Sequence, residues 1–246
     1  MQAFAHLPNG GVTKAEARVI LAPAPTPAQA AALTRGQLRA ALKRAGRARY
    51  LDRDVERLHA IFRAEHMRLP DLIEQAMGHQ LTALLGQLEA TCTAEQNLAI
   101  RVEESFAQHP DAEIITSFPG VGSLVGARIL AEIGDDRTRF TDARGLKAYA
   151  GSAPVTRAGG RSRHIMTRKV KNDRLAAAGY IGAFAALRPS PGARAHYDRR
   201  KAADDVHTAA LRHLFNRLIG CLHHCLQKRR TYDESIAFPP HAVAAA

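Results

Sequence analysis

"LDRDVERLHAIFRAEHMRLPDLIEQAMGHQLTALLGQLEATC", residues Leu51–Cys92, decides the fold class. Leu51, Val55, Leu58 and Phe62 are spaced four, three and four apart, which is the period of one helix face and not the period of two of a strand. The row resumes at Leu81, Leu84, Leu85, Leu88 and Cys92 after a break at Leu69-Pro70, where proline removes a backbone donor. Charges around it nearly cancel: residues 27–109 hold 11 Lys or Arg and 10 Asp or Glu. The pattern predicts a helical hairpin or coiled coil over residues 27–109. Such a hairpin leaves a seam for a second copy to cover; a plain helical bundle without a partner has the same spacing.

Upstream, residues 1–26 read as an N-terminal remnant and linker, with one short helical candidate between a Pro-Asn-Gly-Gly turn and an alternating Ala/Pro stretch. Downstream, "DAEIITSFPGVGSLVGARILAEIGDD" (Asp111–Asp136) places a Pro-Gly-Val-Gly turn between two apolar helices. This predicts a helix-hairpin-helix inside a C-terminal DNA-binding domain over residues 110–240, followed by a tail at 241–246. The fold class is therefore mainly α. Gly120, Gly122 and Ser123 would leave the first amides of the second helix free to donate to a phosphate. The same turn can also serve only to pack two helices.

Thr141 or Asp142 caps a predicted helix through Tyr149, and a glycine-broken basic loop follows, "YAGSAPVTRAGGRSRHIMTRKVKNDR" (Tyr149–Arg174). It holds Arg157, Arg161, Arg163, Arg168, Lys169, Lys171 and Arg174 with His164, against the single acid Asp173. Ordinary solvated faces mix signs, so the expected complement is a phosphate backbone, with Gly160 allowing close approach. The whole chain points the same way. Of its formal net charge of +12, nearly all lies in residues 157–246, which carry 17 basic and 6 acidic groups. Arg outnumbers Lys 28 to 7; a compositional bias toward Arg explains that ratio but not the loss of balancing acids.

Beyond the loop, "LAAAGYIGAFAAL" (Leu175–Leu187) reads as a close-packed small-residue helix, its 13 residues falling short of the ~20 needed to cross a bilayer. Leu211, Leu214, Leu218 and Leu222 mark the inward face of a last amphipathic helix, with Lys228 to Arg230 at its negative end. Three cysteines without framework spacing argue for a reducing compartment. Cys221, His224 and Cys225 share a helical face, but no further ligand is placed beside them. Asp135-Asp136 and Asp204-Asp205 are adjacent pairs that point apart on a helix and suit capping. No metal site is expected, and no Walker loop, dinucleotide fingerprint or His-Glu-x-x-His pattern occurs.

"IITSFPGVGSLVGARILAEIGDD", "FTDARGLKAYAGSAPVT" and "RHLFNRLIGCLHHCLQKRRTYDESIAF" together resemble the C-terminal half of the bridge-RNA-guided insertion-sequence transposases. That is the DEDD-plus-serine type, insertion-sequence family one-ten. The resemblance covers roughly residues 12–238. It implies a protein of DNA transposition and recombination, in which an N-terminal nuclease-like domain with four acids holds Mg2+. A coiled coil pairs protomers, and a serine of the helical C-terminal domain attacks a DNA phosphate chosen by a structured guide RNA. Two departures follow. The acidic domain has no counterpart here, so no cofactor is expected in this chain. The serine position, about ten residues after the tyrosine of Tyr-Ala-Gly, is Gly159, which has no hydroxyl to attack with. Ser162 and Ser152 flank it as weak substitutes, displaced by three and seven residues where reactive geometry tolerates about an ångström.

The expected function is a truncated, cytoplasmic, nucleoid-associated bacterial transposase that binds nucleic acid without strand transfer. The alternative is a scaffold or inhibitor that pairs with full-length transposase through residues 27–109. An active recombinase would need a separately encoded acidic domain.

Overall fold

The computed structural model describes residues 11–159 and 162–239, without the side chains of Arg157, Arg163 and Ile165. Two compact units divide the chain at Asn97 and Leu98. The described residues are mainly helical, with one small sheet.

In the first unit, α1 (Ala15–Leu21), α2 (Pro27–Ala32), α3 (Arg35–Arg44) and α4 (Leu51–Arg63) precede the long α5 (Asp71–Ala107), whose residues from Leu98 onward belong to the second unit. Thr26 and Thr34 open α2 and α3 with reciprocal capping boxes to Gln29 and Gln37, satisfying donors that a bare helix start leaves unpaired. The core joins Ala17 and Ile20 of α1 to Leu38, Ala41 and Leu42 of α3 and to Val55 and Leu58 of α4. The short helical candidate seen before the Ala/Pro stretch thus contributes to packing. Asp54 is buried beside them and accepts from Arg47 Nε at 3.0 Å and Nη2 at 2.7 Å. Pro70 sits just before α5, its carbonyl accepting from Ile73 and Glu74, as suits a residue that lacks its own N–H.

The 37 residues of α5 make a rod roughly 55 Å long at 1.5 Å per residue. Leu85 is buried, whereas Met77, Leu84 and Leu98 are 53%, 52% and 62% exposed. These three share one heptad position, with Thr91 completing the row.

The second unit is built around α11 (His207–Lys228), whose Leu211, Leu214, Leu218 and Leu222 are all buried. Against it pack α8 (Ala143–Tyr149), α9 (Asp173–Ala186) and α10 (Pro191–Ala202). Small residues let α9 approach closely: a Cβ on Gly179 would lie 2.1 Å from the Phe215 ring. The short α6 (Ala112–Thr116) and the longer α7 (Ser123–Ile133) flank the Pro119–Gly122 turn, and α7 also packs on α9. The last helix, α12 (Glu234–Ala237), is capped by Asp233. No helix among the described residues is long and apolar enough to cross a membrane.

Candidate nucleic-acid interface

The basic stretch expected to be a loop carries two paired strands: β1 (Val155–Gly159) pairs antiparallel with β2 (Ser162–Met166). Its two ends are tied together at the base. Asn172 caps α9 by accepting from Leu175 N at 2.8 Å, and its own amide donates to the Tyr149 carbonyl at 2.8 Å. Its side-chain Nδ2 donates to Tyr149 Oη at 2.7 Å and to Glu132 Oε2 at 2.6 Å. Arg139 completes the clamp, donating to Tyr149 Oη at 3.1 Å with its guanidinium 4.9 Å from the ring centroid. Charged and neutral hydrogen bonds that converge on one phenol fix the strand ends more firmly than any one of them.

At the first corner, Gly151 has φ +71, and a Cβ there would lie 2.1 Å from Lys171 Cδ. Only glycine both turns the chain here and lets the Lys171 stem lie across it. Ser152 is 1% exposed. Its hydroxyl lies 3.1 Å from Asn216 Oδ1 and 3.2 Å from the Lys147 carbonyl, while its own carbonyl accepts from Arg212 at 3.2 Å. That hydroxyl is occupied and closed off from any phosphate outside the core.

The other residues singled out from sequence fall as follows. Lys169 is exposed, and Arg168 is half-buried with its Nε shut from solvent and unpartnered. Lys171 Nζ pairs with Asp173 at 2.6 Å, and Arg174 stands 3.8 Å from Glu132. The strand register sets Arg157 opposite His164, Ala158 opposite Arg163 and Gly159 opposite Ser162. Gly160 and Arg161, and the side chains of Arg157 and Arg163, lie outside the described residues. Ser162 is exposed, its hydroxyl donating to the Gly159 carbonyl at 3.2 Å. A Cβ on Gly159 would meet nothing within 4 Å, and its φ is not left-handed, so neither space nor backbone requires glycine there.

The turn at Gly120 belongs elsewhere. Its φ is +77, and a Cβ would lie 2.4 Å from Ala186 N, so close packing on the end of α9 accounts for this glycine. Gly122 precedes α7 as its N-cap without a side-chain cap, and Ser123 is exposed. The hairpin enters α9 at Asp173, whereas Gly120 meets its far end at Ala186. The two features are separated by the length of the helix, roughly 20 Å.

The clamp residues Tyr149, Asn172, Arg139 and Glu132 were not singled out from sequence. Asn172 before Asp-Arg-Leu carries an N-cap signal, but nothing local links it to Tyr149, 23 positions away. Among the described residues no group of three or more His, Cys, Asp or Glu side chains is placed to hold a metal ion. Cys225 is buried, its thiol directed at the Thr231 carbonyl, and burial pushes the Cys221 and Cys225 thiols up.

Residues 112–198 match the family described as "Transposase IS116/IS110/IS902 family". The mini-circle putative transposase for IS117 of Streptomyces coelicolor is 60% identical over 238 residues, covering 97% of this chain and 58% of its own length. The uncharacterized 42 kDa protein of insertion element IS900 of Mycobacterium paratuberculosis is 33% identical over 184 residues, 74% of this chain and 44% of its own. The uncharacterized 44.8 kDa protein of IS116 of Streptomyces clavuligerus is 32% identical over 219 residues, 81% and 52%. The chain thus spans about half the length of these curated relatives.

Proposed function

Given that the chain belongs to the IS116/IS110/IS902 transposase family, we propose that it binds the sugar-phosphate backbone of DNA on the 155–174 segment, without the covalent step of transposition. The observation that carries this reading is the one-signed charge of the segment that holds the paired strands and the stretch after them: seven Lys or Arg between Arg157 and Arg174 against Asp173 alone. Pairing of the two strands and the Tyr149–Asn172 hydrogen bonds that flank them pre-order the segment, which lowers the ordering cost of binding. Lys171 exchanges the exposed Asp173 carboxylate for phosphate at little cost, because such surface pairs are individually weak, and Arg174, itself exposed and 3.8 Å from Glu132, leaves that carboxylate still bonded to Asn172. The amides at Gly122 and Ser123 form a second, separate contact; Gly120 shapes that turn. A structured guide RNA presents the same backbone chemistry, and gel shifts of duplex DNA against structured RNA distinguish the two. A cytoplasmic, nucleoid-associated setting suits this partner.

The absent covalent step rests on residue 159. A hydroxyl is the least a serine-type phosphoryl transfer requires of that position, and Gly159 has none. Incubated with magnesium and donor DNA, the parent chain is expected to form no protein–DNA adduct. Because the position is open, Gly159→Ser is expected to leave stability within about 0.5 kcal/mol. An adduct in the parent that disappears in Ser162→Ala would instead move the nucleophile to Ser162 and overturn this reading.

A second reading is favoured by α5. Its exposed row at Met77, Leu84 and Leu98 has the seven-residue spacing of a coiled-coil seam, and we propose that a second copy or a longer relative covers it. Leu84→Lys with Leu98→Lys is then expected to convert a dimer to monomer in sedimentation equilibrium. A parent chain that is already monomeric at micromolar concentration removes this reading.

A further inference from the structure

The second unit carries another cationic surface that the hairpin does not use. It is a cavity of about 560 Å³ between α8, α10, α11 and the chain leading into α12. Lys147 of α8, Arg200 of α10, Arg217 of α11 and Arg230 line it, and Asp233 is the single acid among its described lining residues. That carboxylate is already taken, accepting from Ser235 N, Ser235 Oγ and Ile236 N at 2.8, 2.6 and 3.4 Å. Arg200 spends its Nε on Asp205 at 2.6 Å, and Arg217 spends its Nε on the Ala237 carbonyl. Neither Lys147 nor Arg230 pairs with a carboxylate among the described residues.

Gly220 indicates that the cavity is built for charge. It lies inside α11, where glycine costs ~1 kcal/mol relative to alanine, and its φ is not left-handed. A Cβ there would lie 2.6 Å from Lys147 Cε and 2.8 Å from Nζ. The missing side chain is the seat of the Lys147 ammonium. Beside it, His196 has its Nε2 shut from solvent with no hydrogen-bond partner. Burial, then the charges of Arg199, Arg217, His213 and Arg200, push the His196 imidazole down to about 4. His213 is lowered by burial and by Arg212 and Arg200. Burial is the larger cause at both imidazoles and carries no sign; the smaller contribution of the neighbouring arginines is a positive field, which attracts an anion.

We propose that this cavity binds a phosphate monoester, carried by a free nucleotide or by the 5′ end of a nucleic-acid strand. A monoester brings nearly two negative charges and three acceptor oxygens at neutral pH, enough to engage Lys147 and Arg230 together. A lone carboxylate would leave one of them uncompensated. The assignment is independent of the hairpin.

The test is calorimetric titration of the intact chain with inorganic phosphate, a nucleoside 5′-monophosphate, and one short single strand with and without its 5′-phosphate. The phosphorylated strand is expected to bind about tenfold tighter than its hydroxyl-ended twin, or the monophosphate tighter than its nucleoside. Gain confined to the strand identifies a strand end as the source; equal gain for the monophosphate identifies a free nucleotide. Gly220→Ala displaces only the far end of a flexible lysine and improves the helix, so it is expected to fold as well as the parent while losing about tenfold in phosphate affinity. Lys147→Gln should lose as much, and Arg161→Ala with Arg163→Ala should leave the affinity for the monophosphate, and the ratio between the phosphorylated and hydroxyl-ended strands, unchanged. Absence of any phosphate-dependent binding, or parental affinity in folded Gly220→Ala and Lys147→Gln, overturns the proposal.

Discussion

Replacing Arg137 with alanine is expected to destabilise the second unit by roughly 3–5 kcal/mol, the cost of stranding one member of a buried ion pair. Asp111, just before α6, is 2% exposed, and Arg137 Nη2 pairs directly with its Oδ2. The other nearby nitrogens stand farther off, Arg229 Nη1 at 3.6 Å and His109 Nδ1 at 3.8 Å, and Oδ1 has no hydrogen bond. Burial, then the charge of Arg229, pushes the Arg137 guanidinium down. Without Arg137 the carboxylate keeps only the longer contact to Arg229 at 3.6 Å and loses its closest charge partner. The melting temperature should fall on the order of 10 °C for a unit of this size. Asp111→Asn should cost less, since the Arg137 side chain, 26% exposed, can turn toward solvent. A double-mutant cycle over the two positions should return a coupling above ~1 kcal/mol; additive losses would show that the pair is incidental.

Asp111 also illustrates what was legible in the sequence. It reads there as one acid among many at the edge of an apolar helix, because its partners lie 26 and 118 positions away. Helices were legible wherever burial is one-sided: the leucines of α11 repeat at helical spacing because only one face meets the core. A cap at Thr141 or Asp142 was legible, and it is Asp142 that accepts from Gly145 N at 2.8 Å. The hairpin was not. Val155–Gly159 and Ser162–Met166 are short and largely polar, so no buried face imposes the alternation by which strands are recognised. What holds it is the Tyr149–Asn172 clamp, a contact between residues whose types carry no signal of each other. Leu84 and Leu85 were read into one stripe, yet only Leu85 is buried. Adjacent helix positions are about 100° apart, and spacing alone does not report which neighbour faces the core. At the site, charge was legible as composition. The pairing of Lys171 with Asp173 and of Arg174 with Glu132 was not, and it makes Arg168 and Lys169 the described cations of the segment without a carboxylate partner.

Neutralising Arg157, Arg161, Arg163 and Lys169 together is expected to weaken DNA binding about 10³-fold near ~0.1 M salt. Each phosphate contact on duplex DNA releases counterions and contributes ~0.9 to the slope of log K against log salt. At ~0.1 M salt that amounts to nearly one decade of affinity per contact, so four lost contacts remove between three and four decades if all four touch phosphate. The slope itself should flatten by about 3.6 on the same count, and it is the more discriminating readout. A variant that unfolded the hairpin would lose affinity too, so the comparison needs a variant that disturbs fold without charge. Asn172→Ala serves: it removes the donors to Tyr149 Oη and Glu132 but leaves every cation, so affinity should fall while the slope keeps most of its parental value. The opposite arrangement, a quadruple variant with an unchanged slope, would place the DNA elsewhere on the second unit. The cavity at Lys147 and the surface around Arg199, Arg200 and Lys201 would then be the next places to neutralise, and a slope that responded to those substitutions would relocate the interface.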